Sequence, residues 1–196
     1  MTKLLTLYYS QTGHNFQMAN WAYDEVKDMA EVRIRKVEEL LDIADAKDNP
    51  AWKKYLEDSK DIELACSDDL VWADAILVSS PTRFGNVASQ MKFFLDQQGG
   101  LWAQGKLRDK LFSAMSSAQN NNGGQEQTIR ALYTTAMHWG AIIVAPGYND
   151  DSIFAAGGNP YGTSGTATNE GFANDLEGAV RFQARRLVEV ADKFNK

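Results

Sequence analysis

LYYSQTGHNFQMA, residues 7–19, decides how this chain is read. An apolar run ends at Ser10, small and polar residues follow, and a helical pattern resumes at Phe16. A polar elbow between a strand and a helix sets hydroxyls and backbone N–H groups at the helix N-terminus, where the dipole favours an anion. A Walker loop would carry a lysine to reach the transferred phosphate; Ser10, Gln11, Thr12, Gly13, His14 and Asn15 include none. Such a loop suits a phosphate that is held and never transferred. The fingerprint G-x-G-x-x-G is also missing, so a pyrophosphate is not expected on this first turn. On these residues alone, a plain βα turn with an N-cap stays open.

Outward from the elbow, continuous apolar runs with polar boundaries recur at Leu4–Tyr9, Val32–Val37, Ala75–Ser79, Leu111–Ser116 and Ala141–Ala145. Runs of this kind suit parallel strands covered on both faces. Helical patterns lie between them, at about 15–29, 68–73, 87–97, 125–137 and 174–194. Leu176, Val180, Phe182, Leu187, Val190 and Phe194 give the last an apolar stripe that packs on a sheet. The alternation predicts an α/β fold: a doubly wound open sheet of five parallel strands with helices on both faces. Residues 38–62 and 147–173 exceed ordinary connections, which points to function or an interface. No linker divides the chain, so one domain over 1–196 is expected.

The 196 residues carry a net charge of −6 and a pI near 5.0, an acidic balance that disfavours a phosphate backbone, so nucleic acid is not an expected partner. The first ten residues lack a small-residue cleavage site, and no apolar stretch reaches the roughly 20 residues of a membrane helix. A cytoplasmic location without membrane insertion is expected. The single cysteine, Cys66, excludes an internal disulfide or a cysteine metal cluster, and Ser67-Asp68-Asp69 after it lacks the arginine of a phosphatase loop. The two histidines, His14 and His138, are far apart in sequence, so no metal site is expected.

In an open parallel sheet, ligands sit outside the carboxyl ends of the strands. Two more loops leave from those ends. Pro81, Thr82, Arg83, Phe84, Gly85 and Asn86 follow the third strand, bracketed by proline and glycine. Rigid backbone there suits the polar edge of a flat heterocycle, with Phe84 to flank its face. Ser117, Ala118, Gln119, Asn120, Asn121, Asn122 and Gly123 follow the fourth strand, short and rich in donors and acceptors. Three such loops make a socket for a phosphate, a chain of hydroxyls and a ring.

These residues carry a family resemblance. LYYSQTGH (7–14), SPTRFGNVASQMKFFLDQQGGLW (80–102), GGQEQTI (123–129), HWGAIIV (138–144) and GGNPYGT (157–163) resemble the WrbA family of flavodoxin-like NAD(P)H:quinone oxidoreductases. The resemblance implies FMN as cofactor, NADH or NADPH as co-substrate, and two-electron, ping-pong hydride transfer to quinones. It places the FMN phosphate on Ser10–Asn15, and the ribityl chain and ring on Pro81–Asn86 and on the loop of Ser117–Asn122 with Gly123. His138 matches a histidine near the flavin, a candidate catalytic and cofactor-contacting group. Trp102 and Tyr148 match aromatic walls of the substrate space, partly donated across subunits of a homotetramer, a dimer of dimers. Position alone gives each a plainer part: His138 as a dipole partner at a helix C-terminus, Trp102 as a core or interface anchor. The sequence departs from the family pattern at Thr12, where an aromatic is common, in a longer third loop, and in residues 38–62, to which no role is assigned. A one-electron flavodoxin carrier is the alternative, and a repressor-binding regulator has no support in the acidic composition.

Overall fold

A computed structural model describes residues 1–194; the last two residues of the domain expected over 1–196 lie outside it. Four parallel strands run from one edge of the sheet in the order β2 (Glu31–Lys36), β1 (Lys3–Tyr8), β3 (Ala75–Arg83) and β5 (Leu111–Ala118). Registers such as Leu5↔Ile76 and Ile76↔Phe112 align their apolar stretches. Alternation along each strand splits the core. Leu5, Leu7, Ile76, Val78 and Phe112 face Met91 and Leu95 of α4 (Ser89–Asp96) and Ile129 and Leu132 of α6 (Gln125–His138). Leu4, Leu77 and Met115 face α1 (His14–Val26) and α8 (Glu177–Phe194). Each βα crossover therefore starts its helix at the strand tips and returns it to the opposite end.

The fifth strand differs from the expectation. Ala141–Ala145 yields only β6 (Ile142–Ile143), paired with the first half of β5. Pro146-Gly147 then turns the chain outward through α7 (Asp151–Ala155), and it returns as β7 (Ser164–Thr168) against the second half of β5. A short antiparallel β8 (Gly171–Phe172) completes the edge. Between β6 and β7 the ladder is interrupted, and buried backbone groups left there need other partners. Gln183 of α8 donates to the Ala114 carbonyl at 3.0 Å and to Ser113 Oγ at 2.7 Å. From the other face, Tyr133 sets its hydroxyl on the Tyr161 carbonyl and 3.4 Å from the Ala114 N–H. Burial pushes the Tyr133 phenol up to about 12, so it remains a donor at neutral pH. Residues 38–62 hold a 3₁₀ turn (Ile43–Asp48) and α2 (Pro50–Asp58), whose Trp52 and Tyr55 cluster with Tyr8 and Ala19. A short α3 (Ser67–Trp72) precedes β3, and α5 (Gly99–Ala103) follows α4. Among the described residues no helix is long and apolar enough to cross a membrane.

Candidate active site

The tips of β1, β3, β5 and β7 meet at one edge, and the expected loops meet there with them. Gly13 sits at the helix boundary with φ +93°, a left-handed conformation that a side chain would strain. Its N–H donates to Ser10 Oγ at 3.0 Å, closing the turn. Among the described residues no acceptor takes the backbone N–H of His14, Asn15 or Phe16, and the first turn of α1 holds no carboxylate. The polar end of α1 is thus free of internal competitors.

Asn15 is buried and fixes this turn to the sheet. Its amide donates to Ser79 Oγ on β3 at 3.0 Å and accepts from Ser117 Oγ on β5 at 2.6 Å. One side chain thereby ties the elbow to two strand ends. His14 Nε2 donates to the Thr168 carbonyl at 2.9 Å, while Nδ1 lies 3.1 Å from Thr12 Oγ1. The β7–β8 hairpin is so drawn over the elbow. A hollow of about 1240 Å³ opens beside Thr12, Gly13 and Gln119 and runs along the outer face of α1 past Gln17 and Trp21; residues 81–86 do not line it.

The second loop is a tight hairpin. β4 (Asn86–Val87) folds back on Thr82 and Arg83, and the two central residues, Phe84 and Gly85, have φ of 52° and 77°. Positive φ at both positions matches the twist of a two-residue hairpin, but it costs a phenylalanine of order 1 kcal/mol or more. Phe84 is also fully exposed, a large apolar ring held out at the strand tips. Arg83 reaches Gln11 Oε1 at 3.2 Å, bridging to the elbow. The third loop closes from the other side. Thr82 Oγ1 donates to the Gly123 carbonyl at 3.2 Å and accepts from the Gly85 N–H. A Cβ on Gly124 would stand 2.6 Å from the Gly85 Cα, so the two loops approach through glycine alone. Asn120 accepts from Gln125 through its carbonyl, and Asn121 accepts from Thr166 at 2.7 Å.

The chain does not bring every expected residue to this edge. His138 ends α6, whose first residue packs by the third loop; 14 residues at 1.5 Å each separate them by about 20 Å. Trp102 lies beside it at that far end, its indole N–H donating to the His138 carbonyl at 2.9 Å and its ring exposed. Tyr148 stacks on Phe154, centroids 5.3 Å apart, in the excursion between β6 and β7. Sequence reasoning missed Thr128, whose hydroxyl lies 2.9 Å from Thr82 Oγ1, and the Thr166 and Thr168 contacts. A polar residue one turn into a helix, or a short threonine-rich run inside a long loop, carries no motif by itself.

The family profile of the NADPH-dependent FMN reductases matches residues 2–152. The chain is 50% identical to an NAD(P)H dehydrogenase (quinone) of Deinococcus radiodurans, over 98% of this chain and 96% of that protein. It is 39% identical to one of Chromohalobacter salexigens over 99% of each. In structure it is similar to a WrbA-like flavodoxin of Agrobacterium tumefaciens, with a TM-score of 0.69 at 22% identity over 98% of this chain and 99% of that one, which bears on the fold alone. The chain belongs to the NADPH-dependent FMN reductase family and, within it, to the NAD(P)H dehydrogenases (quinone).

Proposed function

We propose that the strand-tip site holds FMN and that the chain, acting as one domain in the cytoplasm, reduces quinones at the expense of NAD(P)H. The observation that carries this reading is the set of first-turn N–H groups on α1, with the Ser10 and Thr12 hydroxyls beside them and no carboxylate in that turn. That donor set fits a dianionic phosphate ester. The Arg83-Phe84-Gly85-Asn86 turn and the Ser117–Gly123 loop, which meet where Gly124 approaches Gly85, together offer one rim of backbone donors and acceptors against which a flat ring fits. The chemistry FMN supplies when bound is hydride exchange, in two half-reactions, with NAD(P)H and then with a quinone. The protein binds, orients and keeps water away. With the apo chain loaded with FMN, NADH or NADPH oxidation should start on addition of benzoquinone and show parallel lines when both substrates are varied. A one-electron carrier would oxidise almost none, and that result would overturn the reading.

The Phe84 ring is exposed at one end of the sheet, while Trp102 and Met137 are exposed at the other, next to His138. A homotetramer, arranged as a dimer of dimers, places Trp102 and His138 of the partner subunit over the flavin edge, with Tyr148 as a further wall. Flat rings stacked there would enclose a quinone, and the imidazole would stand within reach of its oxygens as a proton source. Trp102→Ala is expected to lower the molar mass in solution below the tetramer and to cut quinone turnover at least about tenfold, since one buried aromatic contact at an interface is worth about 2 kcal/mol or more. A monomeric wild type with full turnover would contradict the shared site.

A further inference from the structure

Glu39 lies just past β2, in a segment to which the sequence assigned nothing. Its carboxylate collects donors from three elements. Oε2 accepts from the Tyr9 hydroxyl, at the end of β1, at 2.9 Å. Oε1 accepts from the Gln90 amide, in the first turn of α4, at 2.6 Å, and from the N–H groups of Leu40 and Leu41 at 2.9 and 3.1 Å. Tyr9 and Gln90 are both buried. Burial and the Glu39 carboxylate hold the Tyr9 phenol far above its ordinary range, so it stays a donor at any physiological pH.

Gln90 is three residues beyond Val87, the end of the strand that leaves the strained Phe84-Gly85 turn, so this network anchors the root of the hairpin. The Thr128 and Thr82 hydroxyls hold its other flank. We infer that Glu39 is a positioning residue for flavin binding, tying the root of the Pro81–Asn86 hairpin to the ends of β1 and β2 so that it meets the ring in one orientation. The inference rests on the FMN reading above. It concerns the ring side of the ligand, not the phosphate side, and that separates it experimentally from the elbow.

FMN and riboflavin, which lacks the phosphate, are titrated into the apo form of the full chain well below its melting temperature. Glu39→Ala is expected to weaken both flavins by the same factor, about tenfold or more, the size of a lost charge-assisted bond. Ser10→Ala should weaken FMN alone. Glu39→Gln should stay within about threefold of wild type, because its carbonyl still accepts from Gln90, Leu40 and Leu41 while the Tyr9 hydroxyl turns to accept. Adding Gln90→Ala to Glu39→Ala should cost little more, as both remove one link. A Glu39→Ala protein that melts lower yet binds both flavins within about twofold of wild type overturns the inference and leaves a structural residue only. A wild type that binds neither flavin overturns the reading beneath it instead.

Discussion

Asn15→Leu is expected to empty the site of FMN and to lower the melting temperature together. Leucine keeps the branched outline of asparagine with somewhat bulkier ends, so the change chiefly removes bonds. The buried hydroxyls of Ser79 and Ser117 each lose their asparagine partner. Leaving Ser117 unpaired and Ser79 with only its weak donation to the Met18 sulfur costs about 2–4 kcal/mol in all, or roughly 5–15 °C for a domain of this length. The loss of FMN should exceed what stability accounts for. Without Asn15 the elbow is no longer held at one height against β3 and β5, and the N–H groups no longer converge. We expect at least about a hundredfold weaker binding, because two or more charge-assisted bonds to the phosphate fail together. Asn15→Asp separates the two effects. It keeps an acceptor for Ser117 but sets a negative charge under an anion, so affinity should fall further than the melting temperature. Fluorescence titration with FMN and a thermal melt read both quantities; an Asn15→Leu protein equal to wild type in each would contradict the assignment.

Gly162→Ala should be the most damaging methyl group that can be added to this chain. The added Cβ would stand 2.0 Å from the Ala114 carbonyl oxygen in the middle of β5. No side chain can turn aside there, because both partners are backbone. Either the returning segment lifts off or the sheet bends, and the Tyr133 bond to the Tyr161 carbonyl goes with it. We expect a loss of about 3 kcal/mol or more, read as a fall of roughly 6–12 °C. The effect reaches the site, since β7 carries Thr166 and Thr168 against the third loop and His14. Gly100→Ala is the control: nothing lies within 4 Å of its added Cβ, and it sits in helix α5. That change should be neutral or stabilise by up to about 1 kcal/mol.

The strand pattern was legible because β1, β3 and β5 are buried on both faces and read as apolar runs interrupted mostly by small hydroxyl residues such as Thr6 and Ser113. The elbow was legible for a related reason: a glycine with positive φ between a strand and a helix leaves Ser-x-Thr-Gly in the sequence. The fifth strand was not legible in full. Its upper half, Ser-Gly-Thr-Ala-Thr, has no large apolar residue, since it pairs at an edge where Gly165 admits the side chains of Leu176 and Phe172. Helix expectations erred by two to three residues where another bond took over, as at Asn86–Val87, which pairs with β3 before α4 begins. Glu39 could not be read at all. Its side-chain partners are 30 and 51 positions away, and one glutamate of the Glu38-Glu39 pair in a charged segment looks like a solvated face.

The gap in the sheet shows how folding and site are linked. Gln183 and Tyr133 replace the ladder where the chain leaves the edge, and this lets a 20-residue excursion depart without unpaired buried backbone at β5. The excursion then returns as the strand that closes the elbow. Stability of the gap and shape of the site are therefore coupled through β7.

The affinity of the apo chain for FMN relative to riboflavin tests the phosphate grip most directly. Several N–H and hydroxyl bonds to a dianion, each worth about 1.5–3 kcal/mol, should make FMN at least about a thousandfold the tighter ligand. Equal affinities for the two would mean that the end of α1 holds no phosphate, and the site assigned to it would be wrong.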